Sequence, residues 1–290
     1  MARVSAPLYY SEPLTPTSPI DDWVIDAVTR PPETIWNFQQ VGVATAITDL
    51  REGDLAPRLD DMGFERVVSP LRVDAQALAD EAPAALEAYQ AEMRTLLTSL
   101  TGADAVVFFD ATFRHEDPDA GRAPAMRPAH LRVHVDQNPR SARVRATNHG
   151  GPDRAFRRFQ IVNLWRPLLA PVRNFPLALC DYRSLDLATD LVPTRLHFPP
   201  WLKDRENYSL RFNARHRWYY WSALSPDEAL IFKCYDSASR GLALASGVTA
   251  HDDLLDVAGL CPHSAFFDEQ GPTTGRLRLS LELRALLFYD

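Results

Sequence analysis

The chain has few cysteines and glycines, no long apolar run and no excess of basic residues among its 290 positions. Its cysteines, Cys180, Cys234 and Cys261, are widely spaced without a CxxC pair, which argues against a disulfide framework or a thiolate zinc site. No stretch approaches the roughly 18 apolar residues of a membrane span, and the N-terminus carries no signal-peptide pattern. A net charge of −7 argues against general nucleic-acid binding. We therefore expect a cytoplasmic protein whose partner is a small molecule, not a membrane or a nucleic acid.

What the chain does contain is material for a β-rich core. Hydrophobic residues make up 46% of it, and 23 prolines accompany 12 glycines, a composition that suits short strands joined by irregular loops. From residue 105 onward, apolar runs predict about eight strands at turn-like spacing. This pattern predicts a mainly β fold with flanking helices, a sandwich or barrel with the jelly roll among its leading forms. The one long helix is predicted over residues 74–100, with Pro83 near its start and Gly102 at its stop.

No repeat or composition break divides the chain, so we expect residues 1–290 to form a single domain. Residues 1–40 are predicted to be an irregular N-terminal arm, and residues from about 104 to 290 the jelly-roll core. Residues 139–158 are rich in arginine and are either a solvated helix and loop or a positive rim that attracts an anionic substrate. These arginines are Arg140, Arg143, Arg145, Arg154, Arg157 and Arg158.

The most informative stretch is the predicted strand over residues 130–137, which contains His134-Val135-Asp136. Side chains two apart on a strand share a face, so His134 and Asp136 point the same way. With one more histidine from a distant strand they would form a facial triad for Fe(II), which leaves positions open for a cosubstrate and oxygen.

Two histidines compete for the third ligand position. His263 precedes Arg278-Leu279-Ser280, and an arginine with a nearby hydroxyl suits the far carboxylate of 2-oxoglutarate. His216 is the alternative, and it would make Lys233 the carboxylate anchor. We favour His263, because the Arg-x-Ser sequence completes the pattern.

Together these segments resemble the CmcJ/NvfI family, which is also described as AsaB-like hydroxylases and desaturases. The resemblance extends from about residue 37 to the C-terminus and departs from the family at Arg278-Leu279-Ser280, where the family usually has an acidic residue between Arg and Ser. The matching segments are residues 59–64, 134–136, 163–168, 176–181, 216–220, 232–237, 263–266 and 281–286.

The resemblance implies a double-stranded β-helix (a cupin-like jelly roll) as the core of the fold. It also implies a non-heme iron enzyme that uses Fe(II), 2-oxoglutarate and O₂ to hydroxylate or desaturate a natural product in secondary metabolism. It implies His134, Asp136 and His263 as catalytic iron ligands. The residues expected to bind the cosubstrate are Arg278, Ser280, Asn163 and Arg166. The residues expected to form the substrate pocket are Trp165, His216, Trp218, Tyr220, Lys233 and Tyr235.

Two other functions stay open at this stage. A jelly roll can bind a small molecule without catalysis, although an intact set of ligands argues against this. A cupin-type metalloenzyme that does not use 2-oxoglutarate would usually have more histidine ligands and no carboxylate anchor. The sequence does not select the substrate, the choice between hydroxylation and desaturation, or the oligomeric state.

Overall fold

The computed structural model describes residues 1–116, 128–150, 156–172, 174–198, 205–269 and 278–290. Within these residues the chain is mainly β, with helices on the flanks. The strands are β1 (Arg3–Pro13), β2 (Trp23–Asp26), β3 (Phe38–Asp49), β4 (Phe64–Val68), β5 (Ala105–His115), β6 (His134–Val135), β7 (Arg158–Pro167), β8 (Leu177–Cys180), β9 (Leu191–His197), β10 (Arg205–Leu210), β11 (Trp218–Tyr220), β12 (Glu228–Asp236), β13 (His263–Ala265) and β14 (Leu279–Tyr289). The α-helices are α1 (Leu59–Met62), α2 (Ala75–Ala79), α3 (Pro83–Thr101), α4 (Pro139–Gly150) and α5 (Arg240–Ala245). Short 3₁₀ turns lie at Pro32–Thr34 and Tyr182–Ser184.

The strands form two sheets with apolar side chains between them. The larger sheet has nine strands in the order β1-β3-β11-β8-β13-β6-β10-β9-β2, and the smaller has five in the order β4-β12-β7-β14-β5. The main hydrophobic core draws on both sheets, for example Val135 and Leu179 from the larger and Ile161 and Phe232 from the smaller. This arrangement confirms the predicted jelly roll.

The N-terminal segment is more regular than the sequence suggested, which corrects the expected irregular arm. β1 pairs antiparallel with β3 over its full length, and β2 pairs with β9. Ala6, Leu8 and Tyr10 alternate along β1 and are buried. The prolines that concealed this period, Pro7 and Pro13, are tolerated because β1 is an edge strand of its sheet.

The second half holds one further strand that the sequence did not indicate. β9 (Leu191–His197) lies in a stretch that carries prolines, which obscure the strand pattern in the sequence. Pro193 is accommodated in its pairing with β10, opposite Tyr208. The last of the strands that the sequence predicts from residue 105 onward, over residues 277–288, is β14. Its first predicted position, Leu277, lies outside the described residues.

The helical prediction holds with one break. α2 and α3 replace the single helix expected over residues 74–100, and Pro83 begins α3 while Gly102 ends it in the left-handed conformation. The apolar stripe of α3, including Tyr89, Met93 and Leu97, packs on the outer face of the smaller sheet. That sheet is therefore covered on both faces, by α3 outside and by the main core inside. No described helix combines the length and apolarity needed to cross a membrane.

Candidate active site

The chain around His134 presents alternate side chains to one face, as predicted. The even-numbered residues from His130 to Asp136 all border a single cavity. Val133 and Val135 point the other way, into the main core. The regular strand is short, since β6 covers only His134–Val135 between β10 and β13.

The structure brings His134, Asp136 and His263 together. β13 pairs with β6 so that His263 lies opposite His134, and their ring centroids are 4.5 Å apart. The Asp136 Oδ1 atom is 3.3 Å from His134 Nε2 and 4.0 Å from His263 Nε2. One donor atom from each residue lies within 4.8 Å of the others, so the three can converge on one ion.

The hydrogen bonds of the two histidines fit a metal centre. The other ring nitrogen of His134, Nδ1, donates to the Arg132 carbonyl at 2.8 Å, and His263 Nδ1 donates to the Cys261 carbonyl at 3.1 Å. These bonds select the tautomer that leaves each Nε2 lone pair free toward Asp136. Burial lowers the pKa of His263 to about 4, so its imidazole is neutral at pH 7. Two imidazoles and one carboxylate are the donor set that non-heme Fe(II) oxygenases use.

The carboxylate of Asp136 is fixed by groups on two strands of the smaller sheet. Its Oδ2 atom accepts a hydrogen bond of 2.8 Å from Arg284 Nε and is 3.7 Å from Cys234 Sγ, while Oδ1 is directed to the histidines. Burial opposes ionisation, but the Arg284 guanidinium holds the pKa of Asp136 well below its usual range. The carboxylate is therefore ionised and oriented before any metal binds.

Arg284 also belongs to a buried ionic network that sequence reasoning did not single out. It donates to Glu282 at 3.0 Å and to Asp110, and Glu282 in turn pairs with Arg114. Arg278 Nη2 is 3.9 Å from the same Glu282 carboxylate. The alternation of Arg278, Glu282 and Arg284 on one face of β14 follows from the sequence. The pairing of Glu282 with Arg114 and of Arg284 with Asp110, both on β5, does not.

Arg278 and Ser280 lie together, as expected of a carboxylate anchor. Arg278 is 2% exposed, and its Nε donates to Ser280 Oγ at 3.0 Å while Nη1 donates to the Phe175 carbonyl at 3.0 Å. Its guanidinium lies 5.1 Å from the ring centre of Trp165, whose buried Nε1 has no partner among the described residues. A donor without a partner beside a buried arginine is the environment that a carboxylate would satisfy.

The other two predicted cosubstrate residues, Asn163 and Arg166, lie on opposite faces of β7. Asn163 lies directly opposite Arg284 on the neighbouring strand β14, so both side chains are on the inner face of the sheet. The buried Oδ1 atom of Asn163 has no partner among the described residues. Arg166 pairs with Leu281 on the outer face. It donates to Tyr89 Oη at 3.0 Å beneath α3. Arg166 therefore does not border the site, which corrects that part of the expectation.

His216 and Lys233, the competing ligand and anchor, have structural partners elsewhere. His216 Nε2 is 2.9 Å from Asp190 Oδ2, and its ring stacks on Tyr10 at 5.7 Å between centroids. Lys233 is 0% exposed and donates to Asp236 at 2.8 Å and to the Ala258 carbonyl at 2.9 Å. Both are buried polar groups with satisfied hydrogen bonds, so neither reaches the three converging ligands.

The predicted aromatic wall is part of the core. Trp218 Nε1 donates to Tyr10 Oη at 2.8 Å, Tyr220 packs edge-on against Phe266, and Tyr235 packs against Phe159. None of the six residues predicted to form the substrate pocket borders the cavity beside the ligands. Those six are Trp165, His216, Trp218, Tyr220, Lys233 and Tyr235.

The cavity that His134 and Asp136 do border has a volume of about 550 Å³, which is large enough for a drug-sized ligand. Its wall combines the ends of β5, β9 and β10 with α4 and the N-terminal segment around Trp36. Of the arginine-rich segment, Arg145 borders the cavity, whereas Arg140 and Arg143 are exposed and Arg158 pairs with Asp236. Arg154 lies outside the described residues.

Comparison with known proteins identifies the family of this chain. The sequence model of a family described as an oxidoreductase/YMDC permease-like domain matches residues 8–288. The hydroxylase/desaturase efuI of Hormonema carpetanum is 31% identical over 277 residues, which cover 84% of this chain and 83% of that protein. The Fe(II)/2-oxoglutarate-dependent dioxygenase nvfI of Aspergillus novofumigatus is 33% identical over 220 residues, or 72% of this chain and 75% of that protein.

The chain belongs to the NvfI/AsaB-like family of Fe(II)/2-oxoglutarate-dependent oxygenases. Membership confirms the expected enzyme class and the expected cofactors, Fe(II), 2-oxoglutarate and O₂. The fold agrees as well. The solved structure of the iron and alpha-ketoglutarate-dependent endoperoxidase NvfI matches with a TM-score of 0.81 at 24% identity, covering 99% of this chain and 98% of that chain.

Proposed function

We propose that His134, Asp136 and His263 hold the catalytic iron and that Arg278 and Ser280 bind the far carboxylate of 2-oxoglutarate. The convergence of the three ligands is the observation that carries this proposal. A small natural product would then bind in the cavity that His134 and Asp136 border, because this is the space open beside the ligands.

The residues of the chain prepare this site before the reaction begins. The carbonyls of Arg132 and Cys261 fix both imidazoles in the tautomer that binds a metal. Arg284 holds one oxygen of Asp136, so the other is directed toward the metal. When bound, Fe(II), 2-oxoglutarate and O₂ supply the oxidising power for an unactivated C–H bond, and the protein positions that bond.

We propose hydroxylation as the outcome, with desaturation as the alternative. Desaturation requires a second hydrogen within reach of the reacting centre, and no residue of the cavity indicates that arrangement. The family match over residues 8–288 supports the expectation of one oxygenase domain. We propose further that the enzyme works in the cytoplasm on a metabolite, not on a protein or nucleic acid.

The test uses the visible absorption that anaerobic Fe(II) and 2-oxoglutarate develop when they bind together. We expect wild-type protein to show it, His263→Ala to lose it, and His216→Ala to keep it. His216 is the matched control because it is also a buried histidine, but it is hydrogen-bonded to Asp190.

Mass spectrometry of reactions with candidate metabolites then distinguishes a gain of one oxygen from a loss of two hydrogens, each coupled to succinate. Loss of the absorption in His216→Ala with His263→Ala unaffected would reassign the third ligand. Substrate turnover without consumption of 2-oxoglutarate would contradict the mechanism as a whole.

A further inference from the structure

The wall of the cavity beside the proposed iron ligands includes an apolar cluster and several arginines. The apolar cluster comes from the N-terminal segment and the end of β9, through Ile25, Ile35, Trp36, Leu196 and Phe198. Such a surface packs against a hydrocarbon skeleton and does not fix its orientation. Orientation has to come from the polar groups of the same wall.

Two arginines of the cavity wall have no acidic partner among the described residues. Arg132 is 3% exposed, and its Nη1 donates to Ser209 Oγ at 2.8 Å. Arg145, on α4, lies with its guanidinium 4.5 Å from the ring centre of Phe109. In both side chains the Nε atom is buried and has no hydrogen-bond partner within the described part of the chain.

Two other arginines of the same cavity are neutralised by the protein itself. Arg114 pairs with Glu282, and Arg284 pairs with Asp136 and Asp110. Positive charge is therefore in excess at Arg132 and Arg145 alone among these four. Burial and a neighbouring arginine, Arg205, lower the pKa of Arg145, and the opposing effect of Asp110 does not reverse this shift.

A buried donor without a partner is costly, and a buried cation without one more so. An incoming carboxylate would remove both penalties, because a guanidinium binds it through charge-assisted and often paired hydrogen bonds. Asn207 adds a third orphan on the cavity wall, since its buried Oδ1 also has no partner among the described residues. That oxygen accepts a hydrogen bond, so it suits a hydroxyl group of the same ligand.

We propose that the substrate of this enzyme is an organic acid, whose carboxylate binds Arg132 and Arg145 while its apolar skeleton lies against the N-terminal segment. This rests on the proposed function in one respect: it takes the cavity beside the iron ligands as the substrate site. It assigns these two arginines to the substrate and leaves Arg278 to 2-oxoglutarate.

The test compares a carboxylate with its neutral counterpart. Protein loaded anaerobically with Fe(II) and 2-oxoglutarate is titrated with the fluorescent probes 1-pyrenebutyrate and 1-pyrenebutanol, which share one apolar skeleton. We expect the acid to bind at least about tenfold more tightly, the effect of a charged hydrogen bond. Arg132→Gln and Arg145→Gln should each remove most of this preference. Arg143→Gln, an exposed arginine two residues away on α4, should preserve it.

Folding is controlled by Arg132→Lys, which keeps the charge and should keep part of the preference. The affinity for 2-oxoglutarate, read from the visible absorption, should be unchanged in every arginine variant. Equal binding of both probes by wild-type protein would overturn the inference, as would weakened 2-oxoglutarate binding in Arg132→Gln or Arg145→Gln. Absence of the absorption in wild-type protein would instead contradict the proposed function. The preference for the acid probe would then be measured in metal-free protein, so the two proposals can fail separately.

Discussion

Replacing Arg278 with methionine tests whether it anchors the cosubstrate. The guanidinium already donates to Ser280 and to the Phe175 carbonyl, which fixes it rigidly beside Trp165. Its Nη2 atom lies 3.9 Å from Glu282, which is too far for a hydrogen bond. This nitrogen is therefore available to donate to a ligand. Truncating one partner of a buried charged hydrogen bond costs about 2–5 kcal/mol. The dissociation constant for 2-oxoglutarate should therefore rise by roughly 30-fold to several thousand-fold.

The fold should survive this change. Glu282 keeps two other cationic partners, Arg114 and Arg284, so Arg278→Met leaves no acid unpaired. The lost bond to the Phe175 carbonyl should cost about 1–3 kcal/mol in the free energy of unfolding. Methionine retains much of the apolar stem, which limits any cavity.

Arg166→Met is the matched control, because Arg166 is equally buried but lies on the outer face of the same sheet under Tyr89. It should destabilise the protein and leave the 2-oxoglutarate affinity unchanged. The assay is anaerobic titration of Fe(II)-loaded protein with 2-oxoglutarate, followed by the visible absorption, with unfolding measured in parallel. An unchanged affinity in Arg278→Met, or an equal loss in Arg166→Met, would refute the assignment.

Three further changes test the scaffold. Lys233→Met should lower the free energy of unfolding by about 1–3 kcal/mol, since it removes the buried hydrogen bonds to Asp236 and to the Ala258 carbonyl while Arg158 still pairs with Asp236. It should spare the 2-oxoglutarate affinity; a loss of that affinity alone would restore Lys233 as the anchor. Gly63→Ala should destabilise by more than about 1–2 kcal/mol, because φ is +89° and the added Cβ would lie 2.6 Å from the Leu260 carbonyl oxygen; an unchanged melting temperature would contradict this. Burial raises the pKa of Glu228, but pairing with Arg51 outweighs this effect and lowers the pKa from 4.5 to about 2. The stability from Glu228 should therefore be complete above pH 4.5 and fall as pH drops toward 2, and Glu228→Gln should flatten that part of the pH profile of unfolding.

The sequence by itself determined the pairing of His134 with Asp136. A strand repeats every two residues whatever its surroundings, so these side chains had to share a face. The same rule grouped Arg278, Ser280, Glu282 and Arg284 on one face of the last strand. The start and stop of α3 were also local, because Pro83 and Gly102 act through their own backbone preferences.

Periodicity says which side chains share a face but not where that face points. Asn163 and Trp165 face the site while Arg166 faces α3, and only the packing of α3 on the sheet made that choice. β7 is buried on both faces, so its sequence lacks the polar and apolar alternation that would have marked the inner one.

The packing of distant elements also determined which residues form the cavity wall. The conspicuous aromatic residues Trp218 and Tyr220 went to the core. The site instead uses Trp36 from the N-terminal segment and Arg145 from α4, which meet only when distant elements pack. Long-range packing determines which buried charges find partners. For this reason only the tertiary structure distinguishes Arg114 and Arg284, which have acidic partners, from Arg132 and Arg145, which have none among the described residues.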